Sequence, residues 1–456
     1  REMAGTYNHA NTEGKLVYLD MTEANIVADG EYYLRTSSEK EYLPTENTIG
    51  EHMFSSRGLQ TILLPKSVIS IDDQAFSSCR SLNKVVIYEN SVKTIGMVAF
   101  EYCSSLADIV LPEGVTTIGR EAFRSCSSLS HIDLPEGVTT IGHGTFSGCE
   151  KLSNVTLPNS LTTIEDFAFS GCNGLTITIP DNVESMGILV FDGTGLDITI
   201  PGRFLTNMGN PIGLDCKDVR VTIAEGTTAI EEYAFRKLPG IVSVTIPESV
   251  TSIGHAAFWQ CSGLTDIVIP SSVTEIGDDA FSECTNLTNV TLPDGLTSIG
   301  EGVFYNCTKL SEINIPKKIT AINNATFSGC VSLRNMVIPD NIQSIGVRAF
   351  EYCSHLTMTI PETVTSIGSQ AFRNNADLSI TMSGNLLDNS LFSDCENLKI
   401  TLSEGSTFIK EYALGNCSGL IEIHIPNSVS SIGGNAFAYC TNLKNIIIPN
   451  KVTSIE

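Results

Sequence analysis

The segment PEGVTTIGREAFRSCSSLSHIDL, residues 112–134, is followed directly by PEGVTTIGHGTFSGCEKLSNVTL, residues 135–157. The two segments share their Pro, Gly, Val, Ile, Phe, Cys and Leu positions, and each is 23 residues long. Repetition at a fixed period of roughly 20 to 50 residues is typical of solenoids, in which each repeat forms one coil. The repeat therefore predicts stacked coils, although 456 residues would otherwise suggest about three globular domains.

The position of Pro112 recurs along most of the chain, and most of the intervals are 23 residues. The equivalent positions are residues 44, 65, 88, 112, 135, 158, 180, 201, 224, 247, 270, 293, 316, 339, 361, 383, 403, 426 and 449. Just before this position, apolar and polar residues alternate with the period of a half-buried strand, as in Val155-Thr156-Leu157. Pro cannot donate to a strand ladder, so it ends the strand. We therefore predict a strand-rich solenoid of α/β type, with about 18–19 coils and one parallel sheet along one face.

Two further features of the unit predict its turns. The AF-x-x-C segment is too short for a free helix and is predicted to form one α or 3₁₀ turn. The Gly that follows the Ile of the unit is predicted to make a tight bend at positive φ. Examples of this Gly are Gly119, Gly142, Gly254 and Gly277.

The repeat also defines the domains. Residues 1–43 do not match it and are predicted to form an N-terminal cap, with Leu16–Asp20 as one strand. Residues 44–456 are predicted to form the solenoid. Its coils are irregular near 180–224 and 361–403, and the two irregular regions match each other position for position, eight repeats apart. The match indicates an internal duplication, with independent sequence drift as the alternative.

The composition argues against two classes of interaction. The formal net charge of −24 is against nucleic-acid binding, which needs clustered Lys and Arg. No run of 18 or more apolar residues occurs, so no transmembrane segment is predicted. Arg1 is not followed by the charged and apolar regions of a signal peptide, which is therefore either absent or already removed.

Cysteine occupies one slot of the unit. The 14 Cys residues are 79, 103, 126, 149, 172, 216, 261, 284, 307, 330, 353, 395, 417 and 440. No CxxC pair occurs, so neither a zinc site nor a redox motif is predicted. Stacked strands lie ~4.8 Å apart, but parallel Cβ vectors at that distance stay beyond the usual Cβ spacing of a disulfide. The slot therefore predicts a column of buried, reduced thiols that act as small apolar side chains.

No catalytic constellation can be assembled from the sequence. The seven His residues are scattered over different slots, and buried Cys side chains lack the access that a nucleophile needs. No Gly-rich phosphate loop and no HExxH metal motif occurs. The residue after the Pro slot is often acidic, which is typical of turns, and a calcium site is the alternative interpretation. We predict no enzyme activity, no metal and no cofactor.

Two sets of exposed side chains are candidates for a binding surface. The first lies on the solvent side of the predicted sheet and comprises Asp108, His131, Asp133, Asp266, Asn289, Glu312 and His424. The second set is Trp259 and Tyr305, which share the slot after Phe two coils apart and so lie about 10 Å from each other. Exposed aromatic residues are enriched at interaction sites. The alternatives are strand preference for the first set and chance exposure for the second.

The unit IPESVTSIGHAAFWQCSGLTDI, residues 246–267, resembles the BspA-type leucine-rich repeats, and the resemblance covers about nine-tenths of the chain. It implies a leucine-rich repeat solenoid that is secreted by, or displayed on, anaerobic host-associated microbes. Some members of that family bind extracellular-matrix proteins or promote adhesion, and the family has no common set of binding residues. An anaerobic setting is compatible with free thiols outside the cell.

The leading functional hypothesis is an extracellular or cell-surface protein that binds a protein or glycan, with host extracellular matrix among the candidate partners. The alternative is a structural stalk or spacer without a ligand of its own. The last unit stops at Glu456, before its turn segment. An open strand edge there predicts either end-to-end self-association or a natural continuation of the chain.

Overall fold

A computed structural model of the chain describes residues 18–24, 34–35, 41–42, 45–89, 91–206 and 208–455. Most of the predicted cap, residues 1–43, therefore lies outside the described residues. Of the strand predicted at Leu16–Asp20, the described part forms strand β1, Tyr18–Asp20. This strand pairs in parallel with Thr61–Leu63.

The chain divides into two compact units. The first comprises Arg1–Pro201 and Gly209–Thr222, and the second comprises Gly202–Met208 and Ile223–Glu456. Within each unit, strands of successive coils run parallel, with about 18 coils in the chain as a whole. The fold is the strand-rich parallel solenoid that the repeat predicted.

Most coils contribute a main strand, which lies just before the Pro slot. In the first unit the main strands are β1, β5 Thr61–Leu63, β7 Lys84–Val86, β10 His131–Asp133, β12 Asn154–Thr156, β14 Leu175–Thr178, β16 Gly195–Ile200 and β17 Lys217–Ile223, whose last residue belongs to the second unit. In the second unit they are β19 Ile241–Thr245, β21 Asp266–Val268, β23 Asn289–Thr291, β25 Glu312–Ile313, β27 Asn335–Val337, β29 Thr357–Thr359, β31 Ser379–Met382, β32 Leu398–Leu402 and β34 Leu420–His424. Neighbouring main strands pair in register, as His131 with Asn154.

A second series of two-residue strands lies before the Gly slot. In the first unit these are β4 Thr48–Ile49, β6 Ser70–Ile71, β8 Thr94–Ile95, β9 Thr117–Ile118, β11 Thr140–Ile141, β13 Thr163–Ile164 and β15 Ser185–Met186. In the second unit they are β18 Ala229–Ile230, β20 Ser252–Ile253, β22 Glu275–Ile276, β24 Ser298–Ile299, β26 Ala321–Ile322, β28 Ser344–Ile345, β30 Ser366–Ile367, β33 Phe408–Ile409, β35 Ser431–Ile432 and β36 Ser454–Ile455. Near the N-terminus, β2 Leu34–Arg35 and β3 Glu41–Tyr42 form an antiparallel pair.

The AF-x-x-C segment forms successive turns rather than a helical turn. The backbone N–H of Cys126 donates to the carbonyl of Phe123 at 3.1 Å, which closes a four-residue turn. Ser125 has a φ of +56°, and such a residue interrupts a right-handed helix. Its N–H instead donates to the carbonyl of Ser147 in the next coil at 2.7 Å. The predicted α or 3₁₀ turn is therefore replaced by turns that also hydrogen-bond to the neighbouring coil.

The Gly after the Ile does not adopt a positive φ angle, and at Gly119 it permits a close contact. Positive φ occurs at none of Gly119, Gly142, Gly254 and Gly277, so that prediction was wrong. A Cβ added to Gly119 would lie 2.5 Å from backbone atoms of Gly96 and Met97 in the preceding coil. The Gly119 N–H donates to the carbonyl of Ile95 at 2.8 Å. The absence of a side chain at Gly119 therefore lets the backbones of these two coils lie in direct contact.

Stacked Phe rings form the centre of each unit. In the first unit consecutive ring centroids lie between 5.1 Å, for Phe76 and Phe100, and 5.9 Å, for Phe169 and Phe191. In the second unit the stack comprises Phe235, Phe258, Phe281, Phe304, Phe327, Phe350, Phe372 and Phe392. The rings are nearly parallel, so each coil seals the core of the one before it.

The Cys column is buried as predicted, and its thiols also make hydrogen bonds. Of the 14 thiols, 13 are buried and Cys440 is half-buried. The Sγ–H of Cys126 donates to the carbonyl of Phe100 in the preceding coil at 3.2 Å. The same carbonyl accepts the N–H of Cys103 at 3.1 Å. Both lone pairs of a buried carbonyl are thereby satisfied, which a purely apolar side chain would not achieve.

Polar residues replace Cys at equivalent places in the two irregular regions and keep this hydrogen bond. Thr194 Oγ1 donates to the carbonyl of Phe169 at 3.3 Å. Asn375 Nδ2 donates to the carbonyl of Phe350 at 2.8 Å. The helical segments of the described residues also lie in these regions: 3₁₀ helices Gly202–Phe204 and Gly384–Leu386, and the α-helix Gly209–Ile212. These matching replacements support the predicted internal duplication.

Replacement of Gly119 by Ala is expected to destabilise the first unit by ~1–3 kcal/mol, because the new methyl group overlaps backbone that cannot move aside. The measurement is the midpoint of urea unfolding, followed by circular dichroism. Gly142→Ala is the matched control at the same slot, since its Cβ would meet no atom closer than 3.5 Å. Equal effects of the two substitutions would contradict the close-packing explanation.

The native chain is expected to expose one thiol to a disulfide reagent at pH 8. Cys440 should react promptly, whereas the 13 buried thiols should react only after denaturation, because burial limits access and suppresses the thiolate. The measurement is the number of thiols labelled by DTNB with and without guanidinium chloride. Rapid labelling of several thiols in the native chain would contradict the buried column.

Candidate functional site

The candidate strand-face residues of the first unit form one polar cluster. His131 lies in β10, with Nδ1 3.8 Å from Oδ1 of Asp108 and Nε2 3.9 Å from Oδ2 of Asp133. All three side chains are exposed, so water screens these contacts and their contribution to stability is small. The cluster presents an imidazole between two carboxylates to the solvent.

The strand-face residues of the second unit lie in register on three strands. Asp266, Asn289 and Glu312 begin β21, β23 and β25, and they occupy one exposed column. Asn289 Nδ2 donates to Oδ1 of Asp266 at 3.1 Å. Hydrogen bonds from Asn289 and from neighbouring Thr side chains lower the pKa of Asp266. His424 lies in a different sheet, in β34 beside Thr401.

Trp259 and Tyr305 line one recess on the turn side of the second unit, which we call the Trp259 recess. Its volume is about 360 Å³. The other lining residues are Tyr233, Arg236, His255, Ala256, Asp279, Ser282 and Glu283. Ser282, which occupies the slot between Trp259 and Tyr305, is buried. The strand-face residues of the same unit do not line this recess.

Charged side chains of the two neighbouring coils hold the indole of Trp259. The guanidinium carbon of Arg236 lies 4.5 Å from the ring centroid, and Nζ of Lys237 lies 5.3 Å from it. The indole Nε1 donates to Oε1 of Glu283 at 3.2 Å. Gln260 Nε2 donates to the other oxygen of Glu283 at 2.9 Å. These contacts orient Trp259 in advance, which reduces the entropy lost when a ligand binds.

Asp279 is a charged residue of the recess whose carboxylate is not paired with a hydrogen-bond donor or a cation in the described part of the chain. Its side chain is half-buried, and no hydrogen bond or ion pair to its carboxylate occurs among the described residues. Burial raises the pKa of Asp279, and Asp278, Glu301 and Glu283 raise it further, whereas His255 opposes the shift. The carboxylate is therefore an acceptor without a partner at the edge of the recess.

Two of the recess residues, Trp259 and Tyr305, could be predicted from the sequence, and most of the others could not. Those missed include Tyr233, Arg236, His255, Asp279 and Glu283. The repeat contained a signal for one of them, because Arg236 lies 23 residues before Trp259 and therefore in the same slot one coil earlier. The edge-on contact of His255 with Tyr233, at 5.1 Å between centroids, had no such signal.

The recess contains residue types that occur in hydrolytic sites, but not their hydrogen-bonded arrangement. Ser282, His255 and Asp279 all line it. However, Ser282 and His255 share no hydrogen bond among the described residues, and a nucleophilic Ser requires a base within that distance. The thiols offer no better nucleophile, since burial raises the pKa of Cys149 and of Cys261 to about 12. The lining also presents three aromatic rings, two carboxylates and one guanidinium.

In the ranges that the structure describes, no group of three or more His, Cys, Asp or Glu side chains is placed to hold a metal ion. The same ranges contain no helix of the length and apolarity needed to cross a membrane.

Asp279→Asn is expected to raise the thermal midpoint of unfolding at pH 7. Because the pKa of Asp279 is raised in the folded chain, ionisation of this carboxyl destabilises the fold as pH rises through that range. The gain should vanish below pH ~3, where both folded and unfolded chains carry the protonated acid. Calorimetry over a pH series measures the difference from the parent chain. A lower midpoint at pH 7 would contradict the uncompensated carboxylate.

Comparison with solved structures finds other bacterial leucine-rich repeat proteins. One from Bacteroides ovatus is 26% identical, over 91% of this chain and 91% of its own, with a TM-score of 0.49. A leucine rich cell surface protein from Faecalibacterium prausnitzii is 26% identical, over 90% of this chain and 88% of its own, with a TM-score of 0.36. The pneumococcal vaccine antigen PcpA is 16% identical, over 92% of this chain and 84% of its own, with a TM-score of 0.28. No curated protein matches the chain.

The family assignment rests on the sequence match rather than on these superpositions. The model of the BspA type leucine rich repeat region matches in six overlapping copies. The copies cover residues 47–176, 116–236, 141–265, 206–331, 252–379 and 375–456. They leave no gap between residues 47 and 456, so the resemblance seen in the repeat unit is confirmed. The chain belongs to the BspA type leucine rich repeat family.

Proposed function

We propose that this chain is an extracellular or cell-surface binding protein without enzymatic activity, and that it attaches to a host protein or glycan through the Trp259 recess. The observation that carries the proposal is the fixed orientation of Trp259 between Arg236 and Glu283. A half-buried Trp with polar groups on both sides, at the wall of a recess, has the composition of a binding hot spot. The family resemblance agrees with an extracellular setting.

The recess also has the size and shape of a ligand site. Ligand pockets measure roughly 300–1,000 Å³ and combine aromatic walls with a few oriented polar groups. At about 360 Å³, the recess lies at the lower end of that range. It therefore suits one side chain or one unit of a larger ligand, with the surrounding surface contacting the rest.

The strand faces provide a second contact surface of a different kind. The clusters of Asp108, His131 and Asp133, and of Asp266, Asn289 and Glu312, are flat, exposed and rich in carboxylates. Such surfaces steer a basic partner and affect the association rate more than the affinity. We therefore place the affinity of the proposed interaction in the recess and assign the strand faces, with His424, a secondary role.

Trp259→Ala is expected to weaken binding to a host matrix ligand by at least about 30-fold, which corresponds to the ~2 kcal/mol of an interface hot spot. The measurement is surface plasmon resonance of the chain over immobilised fibronectin, fibrinogen and mucin. Arg236→Ala should weaken the same interaction, because it releases one face of the indole.

Tyr352→Ala is the control, since Tyr352 is an aromatic side chain with 51% exposure that lies outside the recess. It should bind like the parent chain. Binding that survives Trp259→Ala but is lost on Asp266→Lys would move the site to the strand face. The absence of saturable binding to all three ligands would favour a spacer without a ligand.

A further inference from the structure

We infer that the Trp259 recess binds an uncharged sugar residue of a glycan. This inference rests on the proposed binding function and specifies the ligand class of the same site. It follows from three properties of the recess: its charges of both signs, its aromatic side chains and its hydrogen-bonding groups.

Side chains of both charge signs surround Trp259. Arg236 and Lys237 supply two cations within 5.3 Å of the indole centroid. Asp279 and Glu283 supply two carboxylates in the lining. An anionic ligand would meet both carboxylates, and a cationic ligand would meet both basic side chains. A neutral ligand with hydroxyl groups avoids either repulsion and uses both kinds of polar group.

The aromatic side chains of the recess offer apolar surface to a ligand. Trp259 and Tyr305 lie in one slot on either side of the buried Ser282, two coils apart, which is about 10 Å between backbones at strand spacing. A saturated sugar ring carries C–H groups on its faces, which pack against aromatic side chains, and hydroxyl groups at its edge, which reach the polar lining. Arg236 already covers the other side of Trp259.

The hydrogen-bonding groups of the recess match those of a sugar. Asp279 has a carboxylate without a partner among the described residues, and a carboxylate accepts hydrogen bonds from two hydroxyl groups. The Arg236 guanidinium donates and does not accept. A sugar hydroxyl donates and accepts, so adjacent hydroxyl groups satisfy both residues at once. An apolar side chain would instead bury the Asp279 carboxylate without a donor, which is unfavourable.

A recess in the first unit provides an internal comparison. It also measures about 360 Å³ and is lined by Arg120, His143, Glu165 and Asp166 among others, but by no Trp, Tyr or Phe. His143 occupies the same slot as His255 of the Trp259 recess. The two recesses share size and charged residues, and they differ in the aromatic side chains. The inference therefore assigns sugar binding to the second unit only.

The test is a titration of the full chain followed by the fluorescence of Trp259, which is its single Trp. The neutral probes are lactose, N-acetyllactosamine, chitobiose and mannobiose, and the charged probes are sialyllactose, a heparin disaccharide and trilysine. We expect a saturable change with at least one neutral probe and none with the charged ones. Tyr305→Ala and Asp279→Asn, which keep the fluorophore, should each weaken this binding at least about tenfold. Tyr352→Ala and Arg120→Ala should leave it unchanged.

Three outcomes would overturn the inference: saturation by charged probes only, no saturation by any neutral probe, or neutral binding that is independent of Tyr305 and Asp279. A separate measurement distinguishes this failure from failure of the proposed function. If a matrix glycoprotein binds in a Trp259-dependent manner and enzymatic removal of its glycans changes nothing, the proposed function stands and the sugar inference fails. Loss of that binding on deglycosylation supports both.

Discussion

The contact between successive coils is the constraint on which the rest of the structure depends. Phe rings stack at 5.1 Å in the closest pairs, and backbone N–H groups of the short strand, the turn and the main strand each donate to a neighbouring coil. One coil cannot satisfy its own backbone or cover its own apolar side chains, so stability is shared between neighbours. This spacing restricts which side chains fit at the inward-facing slots of the repeat.

The Gly and Cys slots show how the restriction acts on individual residues. At Gly119 a single methyl group would overlap the preceding coil, so the side chain is excluded by distance and not by conformation. At Cys126 the side chain must be small, apolar and able to donate to the carbonyl of Phe100. Thr194 and Asn375 meet the requirement for a donor in the irregular coils. Packing and hydrogen bonding together therefore determine which residue types occur at the Gly and Cys slots.

The same stacking generates the candidate site. Residues in one slot of adjacent coils are neighbours in space, so Arg236, Trp259, Ser282 and Tyr305 form a column although 23 residues separate each from the next. The core tolerates little change, whereas the outward slots are free to vary from coil to coil. Asp279 illustrates the freedom: its carboxylate accepts no hydrogen bond from the part of the chain that the structure describes and has a raised pKa, and the stack of Phe rings is undisturbed. Function in this fold is therefore a matter of which outward side chains meet on adjacent coils.

The sequence by itself determined the solenoid, its period, the buried Cys column and the family, because each of these depends on a pattern that recurs about 18 times. It also placed Trp259 and Tyr305 in one slot. Only the tertiary structure decided how the coils approach. A Gly at position 119 is compatible with either a positive φ angle or a close contact, and the sequence does not distinguish the two. Only the structure placed Asp279 and His255 at the recess, because their slots differ from that of Trp259 and side-chain direction depends on the left-handed turns between them. A feature that recurs in every coil can be recognised from the sequence. A site formed by contacts that occur in one place cannot, because no repeated pattern marks those contacts.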